Sequence, residues 1–232
     1  MQIKQFRYST DNLAYLIYQN KSAVIIDGGA VDSIISFVNQ NNLIIEFITN
    51  THTHPDHTQG NISLLKSLNG VFIDMDKLYE TEFIQLGDEK LHVLHTPGHT
   101  KDSFCFHGGN FLVSGDTLFN GKAGRCFSGD LKGFLKSIKT LLELPLTTNI
   151  YAGHDYVEEY MGVAKQLMPD NGEIDKFLKK YNLDHVYSTL ADEMKINPCL
   201  KFNDDKMISV LKGLNLPIKT EYDRWKSIMS VV

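Results

Sequence analysis

A histidine-rich heptapeptide is the feature that most constrains this chain: Thr51–His57 reads THTHPDH and directly follows the apolar segment 43–49. That segment is typical of a buried strand, so the heptapeptide lies where a strand ends. His52 and His54 are two residues apart, which puts both imidazoles on one face of an extended backbone, where they can bind one ion. Pro55 disfavours helix at the residue before it, so the aspartate and histidine that follow can approach from another side. The heptapeptide therefore predicts a metal site, and its four donors suit two adjacent ions better than one.

Three later segments place the same residue types just after predicted strands. His99 lies on a Pro-Gly turn, and Asp116 and His154 each follow a strand and a glycine. Strand ends are where the sites of layered α/β folds assemble. The candidate ligands exceed one tetrahedral site and suit two metals that share a bridging carboxylate. They are His52, His54, Asp56, His57, His99, Asp116 and His154.

The order of the predicted elements indicates an α/β body followed by a helical tail. Short apolar strands and three helical stretches alternate as far as residue 152, whereas helical spacing dominates after residue 156. We therefore expect two domains, residues 1–160 and residues 161–232. The first would hold all the candidate ligands.

Charge and cysteine content restrict the class of protein. The chain has 23 basic and 28 acidic residues, a net charge of −5, whereas a nucleic-acid-binding domain is usually basic. It shows no signal peptide and no apolar run long enough for a membrane span. Its three cysteines are widely spaced, which favours reduced thiols. We therefore expect a cytoplasmic protein with no nucleic-acid or membrane partner.

Four motifs, in this order along the chain, resemble those of the metallo-β-lactamase superfamily. The resemblance is most specific to the glyoxalase II (hydroxyacylglutathione hydrolase) family, and it runs from about residue 10 to residue 202. GDTLF at 115–119 is similar to that family's GDTLF, the loop 123–129 resembles its CGR-x-FEG loop, and 188–193 followed by Asn197-Pro198 resembles its STLxEE…NP segment. The four superfamily motifs are THTHPDH, TPGHT, GDT and GHDY.

The resemblance implies an α/β fold, the αββα sandwich of the metallo-β-lactamase type, with a small C-terminal helical domain. It also implies two divalent metal ions per chain, with zinc favoured and iron or manganese compatible, and a metal-bridging hydroxide as the nucleophile. One ion would be bound by His52, His54 and His99, the other by Asp56, His57 and His154, and Asp116 would bridge them.

The activity implied by the resemblance is hydrolysis of S-(2-hydroxyacyl)glutathione, as in methylglyoxal detoxification, where S-lactoylglutathione gives glutathione and D-lactate. The partner would be this small thioester, and we expect a monomer. The family's second C-terminal basic residue aligns with Tyr222 here, so that cation is missing or displaced to Arg224 or Lys226. The substrate-binding residues that the resemblance implies are Arg125, Phe127, Tyr156 and Lys219.

Two other functions stay open at this point. A mononuclear iron persulfide dioxygenase of the same superfamily could use the same ligands, although the segment 188–193 argues against it. A metal-binding module that processes nucleic acids is disfavoured by the net charge. Asp27, which ends a predicted strand, is either a support for a ligand histidine or a simple turn residue. Four histidines match no ligand position and are interpreted as structural: His92, His95, His107 and His185.

Overall fold

Two β-sheets lie face to face in the computed structural model, which describes residues 1–232. One sheet has five strands in the order β1-β2-β3-β4-β5, and the other has six in the order β13-β12-β9-β8-β7-β6. The strands β10 and β11 form a separate two-stranded hairpin. The strands are β1 (Gln2–Tyr8), β2 (Asn12–Gln19), β3 (Ser22–Ile26), β4 (Ile44–Thr49), β5 (Val71–Phe72), β6 (Phe83–Leu86), β7 (Glu89–His95), β8 (Phe104–Gly108), β9 (Phe111–Gly115), β10 (Leu118–Phe119), β11 (Lys122–Ala123), β12 (Asn149–Ala152) and β13 (Ser188–Thr189).

Helices cover the outer faces of both sheets. The first four lie within the amino-terminal half, α5 follows the hairpin, and the remaining five make up the C-terminal part together with a 3₁₀ turn, Pro198–Lys201. No helix is both long and apolar enough to cross a membrane. The helices are α1 (Val31–Asn41), α2 (Pro55–Thr58), α3 (Asn61–Ser67), α4 (Met75–Tyr79), α5 (Leu131–Leu142), α6 (Val157–Leu167), α7 (Gly172–Lys180), α8 (Leu190–Ile196), α9 (Asp205–Gly213) and α10 (Glu221–Val231).

Strand β2 shows how the sequence builds these layers. Its residues alternate between two faces, as a pleated strand requires. Tyr15 and Ile17 belong to the core between the two sheets, whereas Ala14 and Leu16 belong to the core under α1 and α3. Both faces are buried, so the strand is almost continuously apolar.

A third core lies outside the six-stranded sheet and joins the body to the C-terminal helices. It contains Phe134 of α5 together with Trp225 and Ile228 of α10. The indole Nε1 of Trp225 also donates a hydrogen bond to the carbonyl of Leu131 at 3.0 Å. Helix α6 runs across residue 160, and β13 pairs with β12 of the body. The division into two domains at residue 160 stays a prediction.

The sequence pattern predicted the inner strands and the edge strand β5, but not the edge strand β1. Strands β2 and β3 form a hairpin that turns at Asn20, which has a left-handed φ of 53°. Strand β1 was not predicted because polar residues interrupt its apolar ones, QIKQFRY. It adds to the outer edge of the five-stranded sheet by pairing antiparallel with β2.

Candidate metal centre

All seven predicted ligands lie together at one end of the sandwich. Each follows the carboxyl end of a strand: the heptapeptide follows β4, and single ligands follow β7, β9 and β12. The ligand atoms within each of two groups lie within 4.8 Å of one another. One group is His52, His54, His99 and Asp116, and the other is Asp56, His57 and His154.

In the first group, the imidazoles of His52 and His99 converge on the Nδ1 atom of His54. The Nε2 of His52 lies 2.9 Å from it, and the Nε2 of His99 lies 3.1 Å from it. A carboxylate oxygen of Asp116 is 3.5 Å from the Nε2 of His99. Three ring nitrogens and one carboxylate oxygen are donors that zinc and iron accept.

In the second group, the Nε2 atoms of His57 and His154 are 3.2 Å apart. The Oδ2 of Asp56 is 3.2 Å from the Nε2 of His154 and 3.6 Å from that of His57. Asp116 reaches this group too, with its Oδ1 3.4 Å from His57 and its Oδ2 3.6 Å from His154. Asp116 therefore touches ligand atoms of both groups, which is the position expected of a bridging carboxylate.

Residues behind the rings fix where the ring protons lie. The Nδ1 of His57 faces Asp27 at 2.9 Å, and the Nδ1 of His154 faces Asp11 at 2.9 Å. The Nδ1 of His99 faces the backbone carbonyl of Arg125 at 2.9 Å. Each of these acceptors needs a proton on Nδ1, so the hydrogen-bond network assigns a bare Nε2 that points into the centre.

His52 follows the same rule through a hydroxyl. The hydroxyl of Thr51 donates to Asp27 at 2.7 Å and can therefore accept a hydrogen bond from the Nδ1–H of His52 at 3.0 Å. The Oδ1 of Asp116 is buried and has no hydrogen-bond partner. Converging lone pairs and an unpartnered carboxylate oxygen need positive charge between them, so this donor set fits divalent metal ions.

The pKa values show which groups of the centre are neutral and which carry charge. Burial, together with the neighbouring His57, lowers the pKa of His52 to about 3. Burial opposes protonation of His57 as well, but Asp27 and Asp116 outweigh it and raise the pKa of His57 well above its ordinary value. Burial would raise the pKa of Asp116, yet the adjacent histidines hold it far below the usual range. The centre thus keeps its carboxylates ionised.

Two residues at the end of the β1–β2 turn and the start of β2 support the second group and were not predicted. The carboxylate of Asp11 holds the Nδ1 of His154, and the amide Nδ2 of Asn12 donates to the Oδ2 of Asp56 at 2.9 Å. In the sequence this Asp-Asn pair indicates only a turn. Of the two interpretations of Asp27, the structure supports the first, since its buried carboxylate holds His57.

The residues expected to bind substrate lie beside the ligands. Phe127 is 57% exposed, and its ring centroid lies 5.3 Å from that of His99. The guanidinium of Arg125 lies 5.1 Å from the centre of the Phe127 ring. Tyr156 stacks on His154 with centroids 5.0 Å apart. An aromatic and cationic rim therefore flanks both ligand groups.

A cleft of about 520 Å³ opens next to Arg125 and is lined by two further cations, Lys122 and Lys226. Lys226 is one of the two candidates for the displaced cation, and its role in binding stays a prediction. The other candidate, Arg224, donates instead to Asn203 and to the carbonyl of Ile218. Lys219 is not among the residues that line this cleft, and its role in binding stays a prediction.

The chain resembles known proteins in both its sequence and its fold. The family model described as the metallo-beta-lactamase superfamily matches residues 10–73 and 71–154. The hydroxyacylglutathione hydrolase of Idiomarina loihiensis is 30% identical over 226 residues, which cover 90% of this chain and 89% of that protein. The chain belongs to the hydroxyacylglutathione hydrolase family of the metallo-β-lactamase superfamily. The predictions of family and fold are confirmed.

Two further relatives agree with this assignment to the hydroxyacylglutathione hydrolase family. The enzyme of the same name from Pseudoalteromonas translucida is 29% identical and covers 98% of this chain and 95% of its own. The crystal structure of ETHE1 from Myxococcus xanthus superposes with a TM-score of 0.64 at 23% identity, covering 100% of this chain and 96% of that one. At that identity, the ETHE1 structure supports the fold alone.

Proposed function

We propose that this protein is a metal-dependent thioester hydrolase that cleaves S-(2-hydroxyacyl)glutathione, such as S-lactoylglutathione, into glutathione and a 2-hydroxy acid. The observation that carries the proposal is the bridged arrangement of seven donors, with Asp116 in contact with both groups. It occurs in a chain that is 30% identical to a hydroxyacylglutathione hydrolase over nine-tenths of its length.

The centre would hold two divalent ions, with zinc favoured by its histidine-rich donors and iron or manganese also compatible. When bound, such ions supply a water molecule of lowered pKa and polarise the carbonyl group that is attacked. The protein's own part is to fix the donors. Asp27 and Asp11 orient His57 and His154 from behind, and Asp116 holds the two groups together.

Departure of the thiol needs little help from the protein. A thiolate is a good leaving group, so no strong general acid is required at the sulfur. Cys126 lies in the loop near the site, but it is only half-buried and its thiol faces Ser128. The proposed reaction needs no cysteine or serine nucleophile.

The cationic cleft supports glutathione as the carrier thiol. Glutathione has two carboxylates, and Arg125, Lys122 and Lys226 surround a cleft large enough for part of a tripeptide. The Phe127 ring contacts Arg125, which lines the cleft, and also the rings of the candidate ligands His54 and His99. A glutathione moiety in the cleft can therefore extend past Phe127 and present its thioester at the metal centre.

The direct test is thiol release from S-lactoylglutathione by purified protein whose metal content has been measured by elemental analysis. We expect release with about two metal ions per chain. Fully loaded protein that releases no thiol would contradict the proposal. One iron per chain together with oxygen uptake on glutathione persulfide would instead support a persulfide dioxygenase.

A further inference from the structure

Glu193 is a fully buried carboxyl group in the C-terminal part of the chain. It lies on α8, and the structure pairs it with no cation. Three neutral donors surround it: the amide of Gly121 at 3.0 Å and 3.1 Å from its two oxygens, the hydroxyl of Ser188 at 2.6 Å, and the side-chain amide of Asn197 at 2.7 Å. Both oxygens are therefore used.

The Gly121 amide lies at the turn of the β10–β11 hairpin, so this contact joins the C-terminal helices to the body. A neighbouring contact strengthens the junction: Asn120 donates to the hydroxyl of Ser188 at 2.7 Å and to the carbonyl of Ile150 at 3.1 Å. The hydroxyl of Ser188 thus accepts from the hairpin and donates to Glu193. The whole turn, Asn120 and Gly121, is held by this network.

The same hairpin borders the metal centre. On its first strand, Phe119 lies with its ring centroid 6.1 Å from that of His154 and 5.5 Å from that of Tyr156. Its second strand leads directly into Gly124, where a Cβ atom would lie only 1.7 Å from the carbonyl oxygen of Asp116. A shift of the hairpin turn would therefore displace residues that contact the ligands and would move the loop after β11.

That loop carries Arg125 and Phe127, and hydrogen bonds to His99 already hold the backbone of both residues. The backbone amide of Phe127 donates to the carbonyl of His99 at 2.9 Å, and the carbonyl of Arg125 accepts from the ring of His99. The start of the loop directly follows β11, so its position depends on the hairpin. Glu193 is the group that holds the hairpin turn from the opposite side.

Packing alone does not explain a carboxyl group at this position. An apolar side chain would fill the space without the cost of burying an ionisable group. What an apolar side chain cannot do is accept hydrogen bonds from Gly121, Ser188 and Asn197 at once. Glutamine is also inadequate, because only one of its two terminal atoms is an acceptor.

We propose that Glu193 is a positioning residue for substrate binding, which holds the β10–β11 turn and so sets the place of the loop that bears Arg125 and Phe127. The inference rests on the proposed function for the roles of those two side chains. It extends the substrate site to a residue of the C-terminal helices that touches neither ligand nor rim.

The test compares Glu193→Gln with wild type in the full-length, metal-loaded protein. We expect the Gly121 amide to exchange with deuterium about tenfold faster, because its acceptor is weakened. We also expect KM for S-lactoylglutathione to rise about fivefold or more, with kcat within about twofold and the metal content unchanged. Ser188→Ala, which keeps the carboxyl group but removes one donor, should show smaller changes in the same direction and serves if Glu193→Gln does not fold.

Asp192→Asn is the matched control, since Asp192 is the neighbouring carboxylate on the same helix and caps it without touching the hairpin. It should leave both the Gly121 exchange and KM unchanged. Unchanged exchange in Glu193→Gln, or faster exchange without a rise in KM, overturns the proposal. If wild type hydrolyses no thioester but the exchange at Gly121 responds as expected, the proposed function fails while the hold on the hairpin stands.

Discussion

The Nε2 atoms of His57 and His154 face each other across 3.2 Å, and a carboxylate lies behind each ring. Asp27 accepts from the Nδ1 of His57, and Asp11 accepts from the Nδ1 of His154. Such carboxylate–histidine pairs fix the direction of the facing nitrogen and raise its basicity. Two basic nitrogens directed at one point form a site that demands a cation, and the first four predictions test this centre and its surroundings.

Removal of metal should destabilise the protein. Binding to the folded state alone stabilises by roughly 4 kcal/mol when free metal exceeds its Kd about a thousandfold, so chelation should lower Tm by several degrees. Calorimetry before and after dialysis against a chelator measures this, and zinc should restore the original Tm. Magnesium is the control, since it prefers oxygen ligands and should restore nothing. An unchanged Tm in protein shown to be metal-free would contradict the prediction.

Replacement of Asp11 should weaken the second ligand group selectively. Asp11→Asn keeps the shape of the side chain but removes the charge behind His154, and loss of such a support typically costs 10–100-fold in metal affinity, about 1.4–2.7 kcal/mol. We expect metal content to fall from about two ions per chain toward about one under limiting metal. Asp170→Asn, at an exposed position, should retain both ions. Equal loss of both ions from Asp11→Asn would show that the two groups do not bind independently.

The clustering of the seven candidate ligands could be predicted from the sequence because their signals are local. His52 and His54 share a face through their spacing, and His99, Asp116 and His154 each follow a strand that the apolar pattern reveals. Strand ends at one edge of a sandwich meet, so local pattern and general fold rules were enough to bring these residues together.

Asp11 and Glu193 could not be predicted, and Lys226 stayed one of two candidates, because these residues act across the fold. Asp11 meets His154 through a contact 143 positions apart in the sequence. Lys226 reaches the cleft only because α10 docks on α5, and Glu193 meets Gly121 only because β13 joins the sheet beside β12. No periodicity or spacing within the chain encodes these distances.

A methyl group at Gly153 should disrupt the centre. A Cβ atom there would lie 2.2 Å from the Oδ1 of Asp116 and 2.8 Å from the Cε1 of His57. Gly153→Ala should therefore lower metal content and thioesterase activity by tenfold or more, roughly 1.4 kcal/mol at least. Gly162→Ala is the control: its Cβ meets nothing within 4 Å on helix α6, so it should keep full activity and gain about 0.5–1 kcal/mol of stability. Full metal content in Gly153→Ala would contradict the geometry.

Loss of the cleft cations should weaken substrate binding. Arg125→Ala and Lys226→Ala should each raise KM about tenfold at low salt, with less effect at high salt because exposed charges are screened. Metal content should stay the same, since neither side chain is a ligand. Lys136→Ala, an exposed lysine on α5 outside the cleft, should leave KM unchanged. Steady-state kinetics at two ionic strengths measures the effect, and equal KM values for all three variants would exclude the cleft as the carrier site.

Glu193 should make the stability of the protein fall as pH rises through neutrality. Burial raises the pKa of this carboxyl group from its ordinary value of 4.5 to about 7, although hydrogen bonds from Ser188 and Asn197 oppose the shift and Asp192 adds to it. The folded state therefore binds the proton more tightly than the unfolded state, and this stabilisation is complete below about pH 4.5 and is lost as pH rises through about 7. Its size is of the order of 3 kcal/mol.

The adjacent thiol of Cys199 does not titrate in this window, because burial raises its pKa to about 11. Urea unfolding of wild type and Glu193→Gln at pH 5 and pH 8 isolates the effect, since all other groups contribute to both proteins. We expect a larger loss of stability in wild type, and an identical pH dependence in the two proteins would show that the carboxyl group is ionised throughout.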